Sequence, residues 1–171
     1  MKRQTGITLL ITLLFSANVY AAAPETLGEY GDWTAYYYKD NRGSICYMVS
    51  KPIKDEGKYS KRGDIYAVVT HRPNDKTYDV VNFDAGYTFK NGAAFVVKIG
   101  HNTINNFFTE GEKAWTLNDE TDKKMVSLMK SGERMLVHGT SAKGTPTKDT
   151  YSLKGFTGAY KAISAKCPRR K

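Results

Sequence analysis

Short runs that alternate apolar and polar residues, each closed by turn-forming residues, fill most of the sequence, and they constrain the fold more than any other feature in it. In GDWTAYYY, Trp33, Ala35 and Tyr37 alternate with Asp32, Thr34 and Tyr36, the period of two that puts successive side chains on opposite faces of a strand. KDNRG is turn chemistry, and SICYMVS returns with Ile45, Tyr47 and Val49 on one face, so the pair reads as a hairpin. DIYAVVTHR is a β-branched run stopped by Pro73, and PNDKT turns the chain into YDVVNF. In GYTFKNGAAFVVKIG, Asn91-Gly92 predicts a type I′ turn between two paired apolar runs. TINNFFTE and KAWTL continue the meander across Gly111, and ERMLVHGT and TYSLKG are strands joined by the polar loop SAKGTPTKD. Helical periodicity appears twice. Asn118 or Asp119 can cap a helix in which Met125, Leu128 and Met129 share a face and Gly132 marks the end. Phe156, Tyr160 and Ile163 recur at helical spacing before Cys167. About nine or ten strands at spacings of about 8–12 residues predict a mainly β chain, an antiparallel β-sandwich with two short helices. A lipocalin-like barrel is the alternative.

The first residues set the compartment. Lys2 and Arg3 precede an apolar run too short for a bilayer core of about 30 Å, and Ala21, Ala22 and Ala23 supply a peptidase site. This reads as an export leader over residues 1–21, with cleavage after Ala23 as the alternative, followed by a single domain over 22–171. The protein is therefore expected in the periplasm or outer envelope, or secreted. Cys46 and Cys167 both remain in the mature chain. In an oxidising compartment an even pair most simply forms one disulfide; free thiols or an intermolecular bridge are the alternatives. Without Lys2 and Arg3, 24 basic residues face 17 acidic ones, a net charge of +7. That surplus draws a protein to anionic glycan or lipid, and export removes nucleic acid from its ordinary partners.

Catalytic chemistry is hard to find. His71, His101 and His138 are isolated, no spacing suits a metal site, and no Gly-rich phosphate loop or cofactor motif is present. Ser127-Leu128-Met129-Lys130 matches S-x-x-K but lacks its companion motifs. An enzyme would need Asp84, Glu110, Glu112 or His138 to meet in a cleft. Candidate binding residues are more numerous. Lys51, Lys54, Lys58, Lys61 and Arg62 make one basic loop suited to an anionic surface, with Tyr36 and Tyr38 as an aromatic platform expected close to it. Arg62-Gly63-Asp64 spells the tripeptide read by adhesion receptors, but the following β-branched run favours an ordinary turn entering a strand.

GDWTAYYYKDNRGSICYMVSKPIKDEG, KRGDIYAVVTHRP, GYTFKNG, FFTEGEKAW and GTSAKGTPTKDTYSLKGFTGAYKAI together resemble the invasion-associated locus B family of alphaproteobacterial exported proteins, from Gly31 to Cys167. The resemblance implies an exported β domain, an association of some members with invasion of host cells, and no established active site. Many members carry further cysteines in the middle of the domain, whereas residues 105–115 contain none here. The function expected is non-catalytic binding of an envelope or host-surface component. A periplasmic small-ligand carrier and an envelope enzyme are the alternatives.

Overall fold

A computed structural model describes residues 23–169, so the expected leader, residues 1–21, lies outside the described residues. Along the chain run β1 (Glu25–Tyr30), β2 (Trp33–Asp40), β3 (Gly43–Ser50), β4 (Lys54–Gly57), β5 (Tyr66–Arg72) and β6 (Thr77–Asp84). They are followed by β7 (Val96–Ile99), β8 (Asn102–Ile104), β9 (Phe107–Glu110), β10 (Lys113–Thr116), α1 (Asp119–Ser131), β11 (Arg134–Thr140), β12 (Pro146–Ser152) and α2 (Phe156–Lys166). The strands form a seven-stranded antiparallel sheet in the order β1-β2-β3-β5-β6-β10-β9 and a five-stranded one in the order β4-β12-β11-β7-β8. Neither closes on itself. The architecture is the expected sandwich and not the alternative barrel.

Alternation decides what each sheet buries. Trp33 and Ala35 on β2, Met48 on β3, Val69 on β5, Val81 and Phe83 on β6 and Ala114 on β10 line the inner face of the larger sheet. Val97, Ile99, Met135, Val137 and Tyr151 face them from the smaller one. Helix α1 lays Met125 and Met129 on this core, and α2 lays Phe156 and Ile163. Trp33 joins the layers. Its ring meets Phe156 edge-on with centroids 4.9 Å apart, and its indole N–H donates to the Ser152 carbonyl at 3.0 Å. Truncating so large a buried aromatic typically costs about 3–5 kcal/mol. Cys46 and Cys167 are bonded, with Cα atoms 6.0 Å apart, tying β3 to the residue that ends α2.

Several local expectations hold. The Asn118 side chain accepts from the Thr121 amide at 2.9 Å, so α1 starts at its predicted cap, and Gly111 at φ +58 turns β9 into β10. Ile45, Tyr47 and Val49 share one face of β3 as expected, and the face turned to the core is that of Cys46, Met48 and Ser50. Others need correction. The stretch read as one strand in TINNFFTE breaks at Asn105-Asn106, because β8 belongs to the smaller sheet and β9 to the larger. Residues 54–57 of the expected basic loop are strand β4.

The largest departure is at Asn91-Gly92. A turn closes there, with Gly92 at φ +71 and Ala93 N–H donating to Lys90 O at 3.1 Å, but Asn91 lacks the positive φ that the expected type I′ turn requires, and the flanks do not pair as a hairpin. Phe89 bridges to Ser141 and β7 pairs with β11, so this segment carries the chain from one sheet to the other. Buried Phe89 and Phe95 go into the space between the layers, where their contacts outweigh local turn preference. No helix among the described residues is long and apolar enough to cross a membrane.

Candidate functional site

Arg62 ties the segment between β4 and β5 to the body of the protein. Its guanidinium reaches Asp149 on β12 through two parallel bonds, Nη1 to Oδ1 at 2.7 Å and Nη2 to Oδ2 at 2.6 Å. Its Nε–H donates to the Ala85 carbonyl at 2.7 Å. The side chains are 3% and 4% exposed, so the pair is interior, and the guanidinium lies 5.4 Å from the Tyr59 ring and 5.0 Å from the Tyr87 ring. Burial pushes the Asp149 carboxyl above its ordinary value, against the pull of Arg62 in the opposite direction. Next to it, Gly63 N–H donates to Gly86 O at 2.8 Å. A Cβ on Gly86, itself at φ +68, would come within 2.5 Å of the Gly63 carbonyl. The loop is thus fastened at two successive residues.

This anchoring corrects the reading of Arg62 as a surface cation. It also removes the adhesive tripeptide from display, since its arginine is internal while Asp64 stands in solvent against Lys51 at 3.6 Å. Asp64 precedes β5 and takes no place in its ladder, contrary to expectation.

The remaining basic residues divide. Lys51 pairs with Asp64, and Lys54 with Glu56 at 2.9 Å, where Lys148 also binds Glu56 at 2.9 Å. Lys58 and Lys61 instead line an open cleft of about 310 Å³ between their loop and the β11–β12 turn. The turn contributes Lys143, which sequence reasoning passed over because it sat in a stretch read only as polar connection. Lys58, Lys61 and Lys143 form no ion pair among the described residues. No carboxylate lines the cleft; Asp149 lies beneath Arg62, and Asp55 is held by the Tyr59 hydroxyl. Five serine and threonine residues and the rings of Tyr59 and Tyr87 complete the walls. The turn is as firmly set as the loop. Ala142 N–H donates to Thr88 O at 2.7 Å, Ser141 N–H to Thr145 O at 2.9 Å, and the Tyr87 and Thr147 hydroxyls are 2.6 Å apart.

Tyr36 and Tyr38 are not brought to this cleft. They project from the outer face of the seven-stranded sheet, opposite the buried Trp33 and Ala35, and Tyr36 stacks on Tyr47 at 5.2 Å. The carboxylates do not converge either. Asp84 pairs with Lys113, which lies across from Glu110, while His138 belongs to the other sheet. Burial, with Lys98 and Lys148 adding to it, holds His138 below the ordinary imidazole range. Ser127 and Lys130 are exposed, and Lys130 covers the Tyr160 ring at 3.6 Å.

One arrangement that sequence reasoning did not anticipate looks catalytic at first sight. His71 Nε2 lies 3.1 Å from the Ser164 hydroxyl, and Asp79 sits on the other side of the ring. The proton is on the wrong nitrogen for that role. The Asp79 backbone N–H donates to Nδ1 at 3.1 Å, so the neutral ring carries its proton on Nε2 and donates to serine instead of accepting from it. The Asp79 carboxylate is 3.9 Å from Nδ1, and its oxygens are taken by the Tyr160 hydroxyl at 2.7 Å and by Arg169. The cluster fastens α2 and the residues after it to the sheet.

The family model of the invasion-associated locus B (IalB) protein matches residues 33–164. The chain belongs to the IalB family. Both walls of the cleft, residues 58–62 and 141–147, lie inside the matched span. The fold is similar to the crystal structure of invasion-associated protein B from Bartonella henselae, with a TM-score of 0.57 and 17% identity over 85% of this chain and 97% of that one. At that identity the likeness establishes that this IalB chain shares the sandwich. No curated protein matches the sequence.

Proposed function

We propose that the protein is an exported envelope protein that works by binding, engaging an anionic component of the bacterial envelope or of a host surface, and that it transforms no substrate. The leader supports residence of a single mature domain, residues 22–171, in the periplasm or outer envelope. Membership of an invasion-associated family supports a part in contact with the host. The observation that carries the binding reading is the cleft, which three lysines from two chain segments line and no Asp or Glu lines. The donating tautomer of His71 and the separation of His138 from Asp84 and Glu110 support the non-catalytic part.

The test is attachment of the mature protein to phosphatidylglycerol vesicles and to lipopolysaccharide. The triple variant Lys58→Glu, Lys61→Glu and Lys143→Glu weakens attachment by about tenfold or more. Raising ionic strength from about 0.05 to about 0.3 M weakens the wild type, because screening shortens the reach of exposed charge. Attachment that neither the substitutions nor salt alters rejects the proposal.

A further inference from the structure

Resting on the reading of the cleft as an anion site, we infer that its ligand is an acidic oligosaccharide, a sugar chain bearing carboxylate, phosphate or sulfate groups, and not a lipid. The chemistry of the walls makes the distinction. A lipid site needs apolar lining for acyl chains, and Ala142 is the one aliphatic side chain among the residues that line this space. Ala142, the tyrosine rings and the side-chain stems give the walls apolar area but no channel of aliphatic side chains, and hydroxyls stand among them. Those of Ser60, Thr88 and Thr145 offer neutral donors and acceptors to a sugar's own hydroxyls, while Ser141 Oγ already accepts from the Thr145 N–H at 3.1 Å and keeps its proton to donate. Lys58, Lys61 and Lys143 add mobile point charges with three donors each, which follow an anionic substituent wherever the ring carries it.

Size and shape agree. A space of about 310 Å³ corresponds to about ten waters of liquid, room for one sugar ring with its substituents, and its opening to solvent lets a longer chain pass through. The two walls are also held before any ligand arrives, one by Arg62 on Asp149 and Gly63 on Gly86, the other by Ala142 on Thr88. A saccharide makes many weak contacts, and a site already ordered loses less on binding than one that must close around it. A buried ion pair is a poor source of stability compared with apolar packing of the same volume. Arg62 and Asp149 are better accounted for as the device that sets one wall of the cleft against the other.

The experiment uses the full mature chain and reads binding by calorimetry and by amide shifts in magnetic resonance. The probes are heparin-derived oligosaccharides, delipidated lipopolysaccharide core oligosaccharide, neutral dextran oligomers, and phosphatidylglycerol vesicles. The expected result is binding of one or both acidic oligosaccharides and none of dextran, with shifts confined to residues 58–62, 87–88 and 141–147. The tighter acidic probe identifies the source as host or bacterial. The double variant Ser60→Ala and Thr88→Val keeps every charge and alters two exposed side chains, so it keeps the wild-type circular dichroism while weakening oligosaccharide binding about threefold to tenfold. Vesicle attachment without oligosaccharide binding overturns this inference and leaves the broader proposal standing. Binding to neither overturns both. Oligosaccharide binding that ignores the hydroxyl substitutions, or dextran binding as tight as that of the acidic chains, also overturns it.

Discussion

Arg62 and Asp149 lie 87 residues apart in sequence, yet each is the other's main solvent substitute. Removing one partner leaves a charge in the interior with nothing to answer it. Asp149→Ala is therefore expected to destabilise by about 3–5 kcal/mol, and the double variant Arg62→Met with Asp149→Leu to recover most of that loss. Urea unfolding of the two variants checks this; a single substitution as mild as the double one would mean the pair is not desolvated. The same separation explains why the sequence misled here. Arg62 follows Lys58 and Lys61 in a run of polar residues, and local composition makes it one more surface cation. Only the return of β12 beside β4 places a carboxylate under it. Lys143 shows the converse: a lysine in an unremarked turn gains meaning from what stands opposite.

At the level of elements, local rules served where burial and local preference agree. The β2–β3 hairpin, the Asn118 cap and the apolar stripe of α2 were all legible because alternation, capping chemistry and helical spacing each point the same way. They failed where the chain changes sheets, at Asn91-Gly92 and at Asn105-Asn106, since crossing between layers leaves no periodic mark. Helix α2 packs over β1, β2 and β3, and the reach of its Ser164 to His71 on β5 was invisible for a similar reason; that contact carries a pH dependence. Burial holds His71 below its ordinary value of 6.5, with Asp79 pulling the other way and Arg169 and Lys130 reinforcing the depression. Below about pH 6.5 the unfolded chain takes up this proton before the folded one does, so stability falls with acidification until the folded-state pKa is passed. Thermal melts between about pH 7.5 and about pH 5 should show a steeper decline for the wild type than for His71→Gln. Equal slopes would mean that this imidazole is not the group responsible.

For the whole molecule, the Cys46–Cys167 bond is the covalent closure of a sandwich whose last helix is already held by Trp33 on Phe156, His71 on Ser164 and Arg169 on Asp79. Its loss is expected to remove about 2–5 kcal/mol without abolishing the fold. The Cys46→Ala and Cys167→Ala double variant should keep the wild-type circular dichroism at room temperature and melt lower. A chain with no cooperative transition would show that the noncovalent contacts do not suffice. The order of synthesis gives this bond a further consequence. Cys46 is synthesised 121 residues before its partner, so it stays a thiol until Cys167 follows. Its neighbours on β2 and β3 can pair around it in the meantime, shielding it from wrong partners. A bond made after those strands have paired would be a seal on assembly and not its guide.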